Sequence, residues 1–214
     1  MTRLILVRHG QTRSNVQGLL DTAVPGADLT DLGRDQARAL VDVLAGERID
    51  RVVASPLART VQTATPVAEE RGLPLGTDIG LREVLAGDLE LDSHRESHRV
   101  YLETVLAWAT GDLAPVVPGR PETGTDFFER FDRAVEAAVD EVGTALCVSH
   151  GAAIRAWASS RGANVPNDFG AEHGLPNTGV VVLERDGAGP WLVDTWTDRR
   201  FPAPQSDPTG SPVP

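Results

Sequence analysis

Leu4-Ile5-Leu6-Val7 is an unbroken apolar run that stops at Arg8-His9-Gly10. Four apolar residues without polar alternation, closed by a charged and glycine-containing loop, predict a strand buried on both faces. The same reading applies to residues 145–148, which stop at Ser149-His150-Gly151, and to residues 49–54, which stop at Ser55-Pro56. Between these runs apolar residues return at helical spacing. Thr30 caps a helix in which Ala37, Leu40, Val41 and Leu44 fall at i, i+3, i+4 and i+7, with Gly46 as its stop. Leu57, Val61, Ala64 and Ala68 mark one face of a second helix that stops near Gly72, and Pro66 inside it predicts a kink or an early end. Asp126-x-x-Glu129 has capping-box spacing ahead of Phe128, Phe131, Val135, Ala138 and Val142, with Gly143 as the stop. Residues 152–160 read as the helix that follows the strand at 145–148.

Segment 76–124 has weaker periodicity. Residues 100–109 read as helical, and Pro115, Pro118 and Pro121 mark a loop. Residues 179–185 and 191–196 flank Asp186-Gly187, the cue for a hairpin. Residues 201–214 hold five prolines in fourteen positions and read as a disordered tail behind a single domain at 1–200. The expected fold is therefore an α/β three-layer sandwich: a mostly parallel central sheet with an antiparallel edge hairpin and helices on both faces. In such sheets ligands bind at the carboxyl ends of the strands.

Composition narrows the chemistry. The 214 residues are 41% apolar and 24% charged, enough to bury a core, and 20 basic against 31 acidic residues leave a net charge of −11. Every basic residue is arginine. Without lysine there is no Schiff-base amine and no phosphate-binding loop of the Walker type. Cys147 stands alone, so it forms no internal disulfide and no cysteine-rich zinc site, and Ala153 six places on is not the arginine of a cysteine-dependent phosphatase. An acidic chain without a basic run suits no nucleic-acid partner. Its short apolar runs suit neither a membrane span nor a signal peptide, so the expected location is cytoplasmic. Any anionic ligand must meet a local cluster of arginines.

The predicted strand ends supply such a cluster. Arg8 and His9 follow the first strand, Arg59 the second, and Ser149 and His150 the later one. Two guanidiniums offer forked donors for phosphate oxygens. A neutral imidazole is a competent nucleophile toward phosphorus, and a second, protonated imidazole can stabilise the equatorial oxygens. This combination suggests phosphoryl transfer through a phosphohistidine, without metal or other cofactor.

The same residues carry a family resemblance. Leu6-Val7-Arg8-His9-Gly10-Gln11-Thr12 with Asn15, Leu29-Thr30-x-x-Gly33 with Gln36-Ala37, Ser55-Pro56-Leu57-x-Arg59-Thr60-x-Gln62-Thr63-Ala64, Leu81-Arg82-Glu83, Ser149-His150-Gly151 and Asn177-Thr178 resemble, in order and spacing, the motifs of the histidine phosphatase superfamily, the phosphoglycerate mutase-like proteins. The resemblance spans residues 4 to 183. It implies that His9 becomes phosphorylated and that Arg8, Arg59 and His150 complete the phosphate pocket, with Asn15 and the backbone of Gly151 as further contacts. It implies Glu83 as the acid that protonates the leaving oxygen and then deprotonates water. The chain departs from the family after that acid: Ala86-Gly87-Asp88-Leu89-Glu90 stands where a glycine and an aromatic residue are common, and Asp88 and Glu90 are nearby carboxyls. Only 42 residues, none of them lysine, separate Glu83 from Asp126. The related cofactor-dependent mutases have a longer, lysine-bearing insertion, so a phosphatase acting on a small-molecule phosphate ester is expected. Mutase-type transfer and a non-catalytic phospho-ligand binding module are the alternatives, and a homodimer is the base-rate assembly.

Other residues have plainer readings. His94 and His98 lie four apart, on one helix face as metal ligands or as a solvated pair. Arg82, Arg95, Arg99 and Arg120 read as surface charges or as partners of a substrate carboxylate. Phe127, Phe128, Phe131, Trp157, Trp191 and Trp196 read as core.

Overall fold

The computed structural model describes residues 1–120 and 122–201. In it the opening apolar run lies within strand β1 (Thr2–Arg8), and Leu4, Ile5, Leu6 and Val7 are fully buried. The elements that follow in the chain are α1 (Arg13–Gln17), α2 (Asp31–Val43), β2 (Arg51–Ala54), α3 (Ala58–Glu70) and β3 (Leu75–Thr77). After them come α4 (Arg95–Ala109), α5 (Gly124–Val139), β4 (Thr144–Ser149), α6 (Gly151–Arg161), α7 (Phe169–Glu172), β5 (Val180–Arg185), β6 (Leu192–Trp196) and β7 (Arg199–Arg200).

The seven strands form one sheet in the order β3-β2-β4-β1-β5-β6-β7. Strands β3, β2, β4 and β1 are parallel, and β5, β6 and β7 add an antiparallel flank. Side chains alternate across a strand, so an unbroken apolar run needs a core on each side. Leu4 and Leu6 join Phe127, Phe131 and Trp157 in one cluster, while Ile5 and Val7 join Leu40, Val52 and Val67 in the other. The expected α/β sandwich is the architecture found, and the six aromatic residues assigned to the core are all buried.

Several boundaries differ from expectation, each for a local reason. The capping box of α5 is Thr123 with Asp126, three residues before the expected one: Thr123 Oγ1 accepts from Asp126 N, and Asp126 Oδ2 accepts from Thr123 N at 2.8 Å. The helix starts a turn early because Gly124 lets it close on Trp108, where a Cβ would come within 2.7 Å of Cγ. It ends at Val139, before the expected stop at Gly143, as α2 ends at Val43 before Gly46. Helix α3 runs through Pro66 to Glu70 with no early end. Buried Ala64, Val67 and Ala68 hold it to the sheet, and packing of an apolar face outweighs one lost backbone bond. Helix α4 begins at Arg95, five residues before the readable pattern. The β5–β6 hairpin turns at Asp186-Gly187 as expected, but over six residues.

Phe201 falls inside the expected tail yet is packed: its ring meets Phe169 edge to face at 5.2 Å, and its N–H donates to the Asp194 carbonyl at 2.8 Å. The rest of the expected tail, 202–214, lies outside the described residues. Among the described residues no helix is long and apolar enough to cross a membrane.

The loop after β1 is clamped to α2. A Cβ on Gly33 would lie 2.1 Å from the Gln11 carbonyl oxygen, and one on Gly10 would lie 2.6 Å from that of Gly33. Gly33→Ala is therefore expected to destabilise the protein by about 1–3 kcal/mol, the usual cost of overpacking. Urea unfolding checks this: the midpoint should fall with an unchanged slope, and an unchanged midpoint would mean that loop and helix separate freely.

Candidate active site

The carboxyl ends of β1, β2 and β4 deliver the residues singled out from the sequence to one place. The rings of His9 and His150 are 5.3 Å apart, and Arg59 Nη2 lies 3.2 Å from His150 Nδ1. Arg8, His9, Asn15, Arg59, Glu83 and Gly151 line a cavity of about 230 Å³. His150, with no exposed surface, lies outside that lining, against His9 and Arg59.

His9 is held by its backbone. Its N–H donates to the Ser149 carbonyl at 3.0 Å, its carbonyl accepts from Asn177 Nδ2 at 3.0 Å, and the next N–H, of Gly10, donates to Thr63 Oγ1 at 2.9 Å. Ring Nδ1 lies 2.8 Å from the Gly10 carbonyl oxygen. A carbonyl only accepts, so Nδ1 carries the proton and Nε2 keeps a lone pair. Burial, reinforced by Arg59 and Arg8, holds the imidazole well below the usual histidine pKa, so it is neutral at physiological pH.

His150 is also neutral. Arginine only donates, so His150 Nδ1 accepts from Arg59, and Nε2 donates to Ser55 Oγ at 2.8 Å. Burial, with Arg59 next, pushes its pKa well below 6.5. The sequence reading expected a protonated second imidazole. In this structure the positive charge beside it belongs to Arg59 instead.

The arginines have donors to spare. Arg59 is 2% exposed and donates from Nη2 to the Asp21 carbonyl at 2.9 Å, while its Nε and Nη1 make no hydrogen bond. Arg8 donates from Nη1 to the Leu175 carbonyl at 2.6 Å and leaves Nε buried and unpaired. A Cβ at Gly151 would sit 3.2 Å from Arg8 Nε, so glycine keeps that edge clear. A buried donor without a partner costs about 1–3 kcal/mol. Arg59 Nη1 has the Asp21 carboxylate at 3.8 Å, but Arg8 Nε and Arg59 Nε have nothing, and both belong to residues that line one cavity, which points to an anion site. Asn15 Oδ1 accepts from Thr12 N and from Asn177 Nδ2, which leaves the Asn15 amide N–H groups as donors on the cavity wall.

Glu83 stands at the start of α6. Its carboxyl accepts from Ala153 N at 2.8 Å, Ala152 N at 3.1 Å and Val84 N at 3.1 Å. These bonds favour the ionised form, but burial outweighs them and raises the pKa above 4.5. Of the three carboxyls Glu83, Asp88 and Glu90, only Glu83 lines the cavity. Asp88 is exposed, and Glu90 binds Thr22 N at 2.7 Å and Ala23 N at 3.0 Å.

Arg155, Asp21, Thr22 and Tyr101 are among the lining residues that escaped the sequence reading. Arg155, half-buried, donates from Nε to the Gly170 carbonyl at 2.6 Å. Its spacing of i+4 from Gly151, on the same face of α6, is the signal that could have found it. Asp21 and Thr22 arrive from a loop without readable periodicity, and Tyr101 from the helix read at residues 100–109, where nothing in the pattern marks it for the cavity. None of Arg82, Arg95, Arg99 and Arg120 lines the cavity; Arg82 pairs with Glu122, and Arg99 with Glu96 and Glu103. His94 stands at the N-cap position of α4, its ring paired with Asp92 rather than with the helix, whereas His98 lines the cavity and donates from Nε2 to the Gly18 carbonyl, so the two do not act as one pair.

Known proteins of one family are similar to this chain in sequence and fold. The model of the histidine phosphatase superfamily (branch 1) matches residues 4–199. The glucosyl-3-phosphoglycerate phosphatase of Mycolicibacterium vanbaalenii is 38% identical over 132 residues, which cover 60% of this chain and 56% of that protein. The adenosylcobalamin/alpha-ribazole phosphatase of Salmonella typhimurium is 37% identical over 150 residues, covering 69% and 73%. The structure of a mycobacterial glucosyl-3-phosphoglycerate phosphatase with VO3 superposes with a TM-score of 0.76 at 28% identity, over 92% of this chain and 99% of that one. Among curated relatives that match, the chain spans only 35% of one and 56% of another.

The neutral imidazoles make a prediction about stability. An unfolded histidine takes up a proton near pH 6.5, but His150 stays neutral when folded, so the unfolded chain binds more protons below that pH. The stability this neutrality supports is complete above about pH 6.5 and is lost as pH falls, at up to about 1.4 kcal/mol per pH unit. In His150→Asn that loss disappears, so the stability gap between wild type and variant should narrow by this slope below about pH 6.5. Glu83 contributes with the opposite sign, but in both proteins, and largely cancels. Urea unfolding as a function of pH checks it; a constant gap would mean that folded His150 is charged.

Proposed function

The chain belongs to branch 1 of the histidine phosphatase superfamily, and from that premise we propose that it hydrolyses phosphate monoesters through a phosphohistidine on His9. The observation that carries this reading is one cavity lined by an imidazole with a free Nε2, two guanidiniums with buried donors that make no hydrogen bond, and a carboxyl whose pKa burial raises.

The roles follow from what each group can donate or accept. The unpaired N–H groups of Arg8 and Arg59, with the Asn15 amide, take the nonbridging phosphoryl oxygens and offset their charge as it shifts in the transition state. Neutral His9 Nε2 attacks phosphorus, and the bond from phosphorus to the ester oxygen breaks. Glu83, whose pKa burial raises, gives its proton to that oxygen, and the alcohol leaves. The carboxylate then accepts a proton from water as the water attacks phosphorus, the P–N bond breaks, and inorganic phosphate departs. His9 and Glu83 return to their starting states. His150 holds Arg59 in place from Nδ1.

Release to water rather than return to substrate is favoured by the short, lysine-free stretch between Glu83 and Asp126. It is also favoured by relatives described as phosphatases. The cavity, at about 230 Å³, suits a small ester, and Leu19, Leu20, Leu102 and Leu175 on its wall offer apolar contact to the leaving group.

Wild type should release p-nitrophenol from its phosphate ester. An alkaline quench of turnover with a labelled ester should trap phosphate on His9. His9→Ala should lose at least about 10³-fold in kcat/KM, as expected on removal of a nucleophile, and trap nothing. Equal background from both proteins would leave the chain a phospho-ligand binding module instead.

A further inference from the structure

The segment that carries Glu83 is pinned by side chains from elsewhere in the chain. Ser149 Oγ donates to the Leu81 carbonyl and Tyr101 Oη to the Val84 carbonyl, each at 2.7 Å. Thr22 Oγ1 accepts from Ala86 N at 2.7 Å. Arg130 of α5 reaches furthest along the segment. Its Nη1 donates to the Gly80 carbonyl at 2.7 Å and the Arg82 carbonyl at 2.9 Å, and its Nη2 lies 3.5 Å from the Glu83 carbonyl. Gly80 permits this approach, since a Cβ there would lie 2.6 Å from the Arg130 carbonyl oxygen.

The ion cluster behind this fork is a poor way to gain stability. Arg130 Nε donates to Glu122 Oε1 at 2.6 Å, and Arg82 donates to the same oxygen at 3.0 and 3.1 Å. Glu122 Oε2 is buried without a partner, and the Arg130 and Glu122 side chains are only 11% and 13% exposed. Apolar residues of similar volume often serve stability as well as such a buried pair or better. What an apolar residue could not do is hold the Gly80 and Arg82 carbonyls beside Glu83. Arg130 does not line the cavity, so apart from its charge, which Glu83 and His150 feel at a distance, its effect on the reaction passes through that segment.

We propose that Arg130 is a positioning residue for Glu83: by bridging the carbonyls of Gly80 and Arg82 it sets where the carboxyl stands over the cavity, and so controls proton delivery to the leaving oxygen. The inference rests on Glu83 acting as the acid.

The test compares kcat/KM for phenyl phosphate, whose leaving oxygen needs a proton, with p-nitrophenyl phosphate, whose leaving group is a much weaker base. Since kcat/KM reports events up to phosphoenzyme formation, the shared hydrolytic step drops out. Glu83→Gln should lower the phenyl ester about 100-fold and Arg130→Met about 10-fold, with far smaller losses on the nitrophenyl ester. Arg130→Lys, which keeps the charge but not the planar fork, should fall between wild type and Arg130→Met. Equal losses on both esters in Arg130→Met, or none, would overturn the proposal. If that variant does not fold, Arg130→Lys carries the same comparison and must show the same bias. Equal losses on both esters in Glu83→Gln would instead remove Glu83 as the acid, so the two failures are distinct.

Discussion

Two arginines and two histidines are packed at the carboxyl ends of three parallel strands, where water is scarce and like charges are close. Unpaired donors on Arg8 and Arg59 are unfavourable there, and a proton added to either ring would join an already positive cluster. The sheet opposes these costs by burying a core on each face of β1 and β4. Every other feature of the site depends on holding this destabilised arrangement in place.

Environment then divides the work between groups that solution chemistry would make similar. Burial and the two arginines keep His9 neutral, which suits a nucleophile. Burial alone raises Glu83 against three backbone donors, which suits an acid. Opposite shifts of an imidazole and a carboxyl, a few residues from each other in space, are the usual means by which one pocket holds both an acceptor and a donor near neutral pH. His150 shows the cost of the arrangement: within reach of Arg59 it serves as an acceptor, and its own charge is suppressed.

Around the reacting groups runs a second set of polar residues that touch backbone rather than ligand. Asn177 spans His9 and Asn15, Thr63 spans Gly10 and Arg59, and Asp21 faces Arg59 while it also ties Ser14 and Ala27. Arg130, Tyr101 and Ser149 do the same for the segment around Glu83. Loops near active sites gain their precision from such contacts, because no helix or strand ladder fixes their backbone.

By itself the chain spelled out the strands and their ends, because a run such as residues 4–7 admits few environments and its punctuation by Arg8-His9-Gly10 is local. Motif order also singled out His9, Arg59, Glu83 and His150, which the fold gathers at one end of the sheet, and the large aromatic residues were legible as core. Only the tertiary structure decided the start of α5, since that depends on how closely Gly124 approaches Trp108, and the passage of α3 through Pro66, since packing overrides propensity. The protonation of His150 and the presence of Tyr101 and Asp21 at the cavity were equally out of reach. Burial and the company of distant charges are properties of the folded space, and no periodicity along the chain encodes which loop will lie beside which strand end.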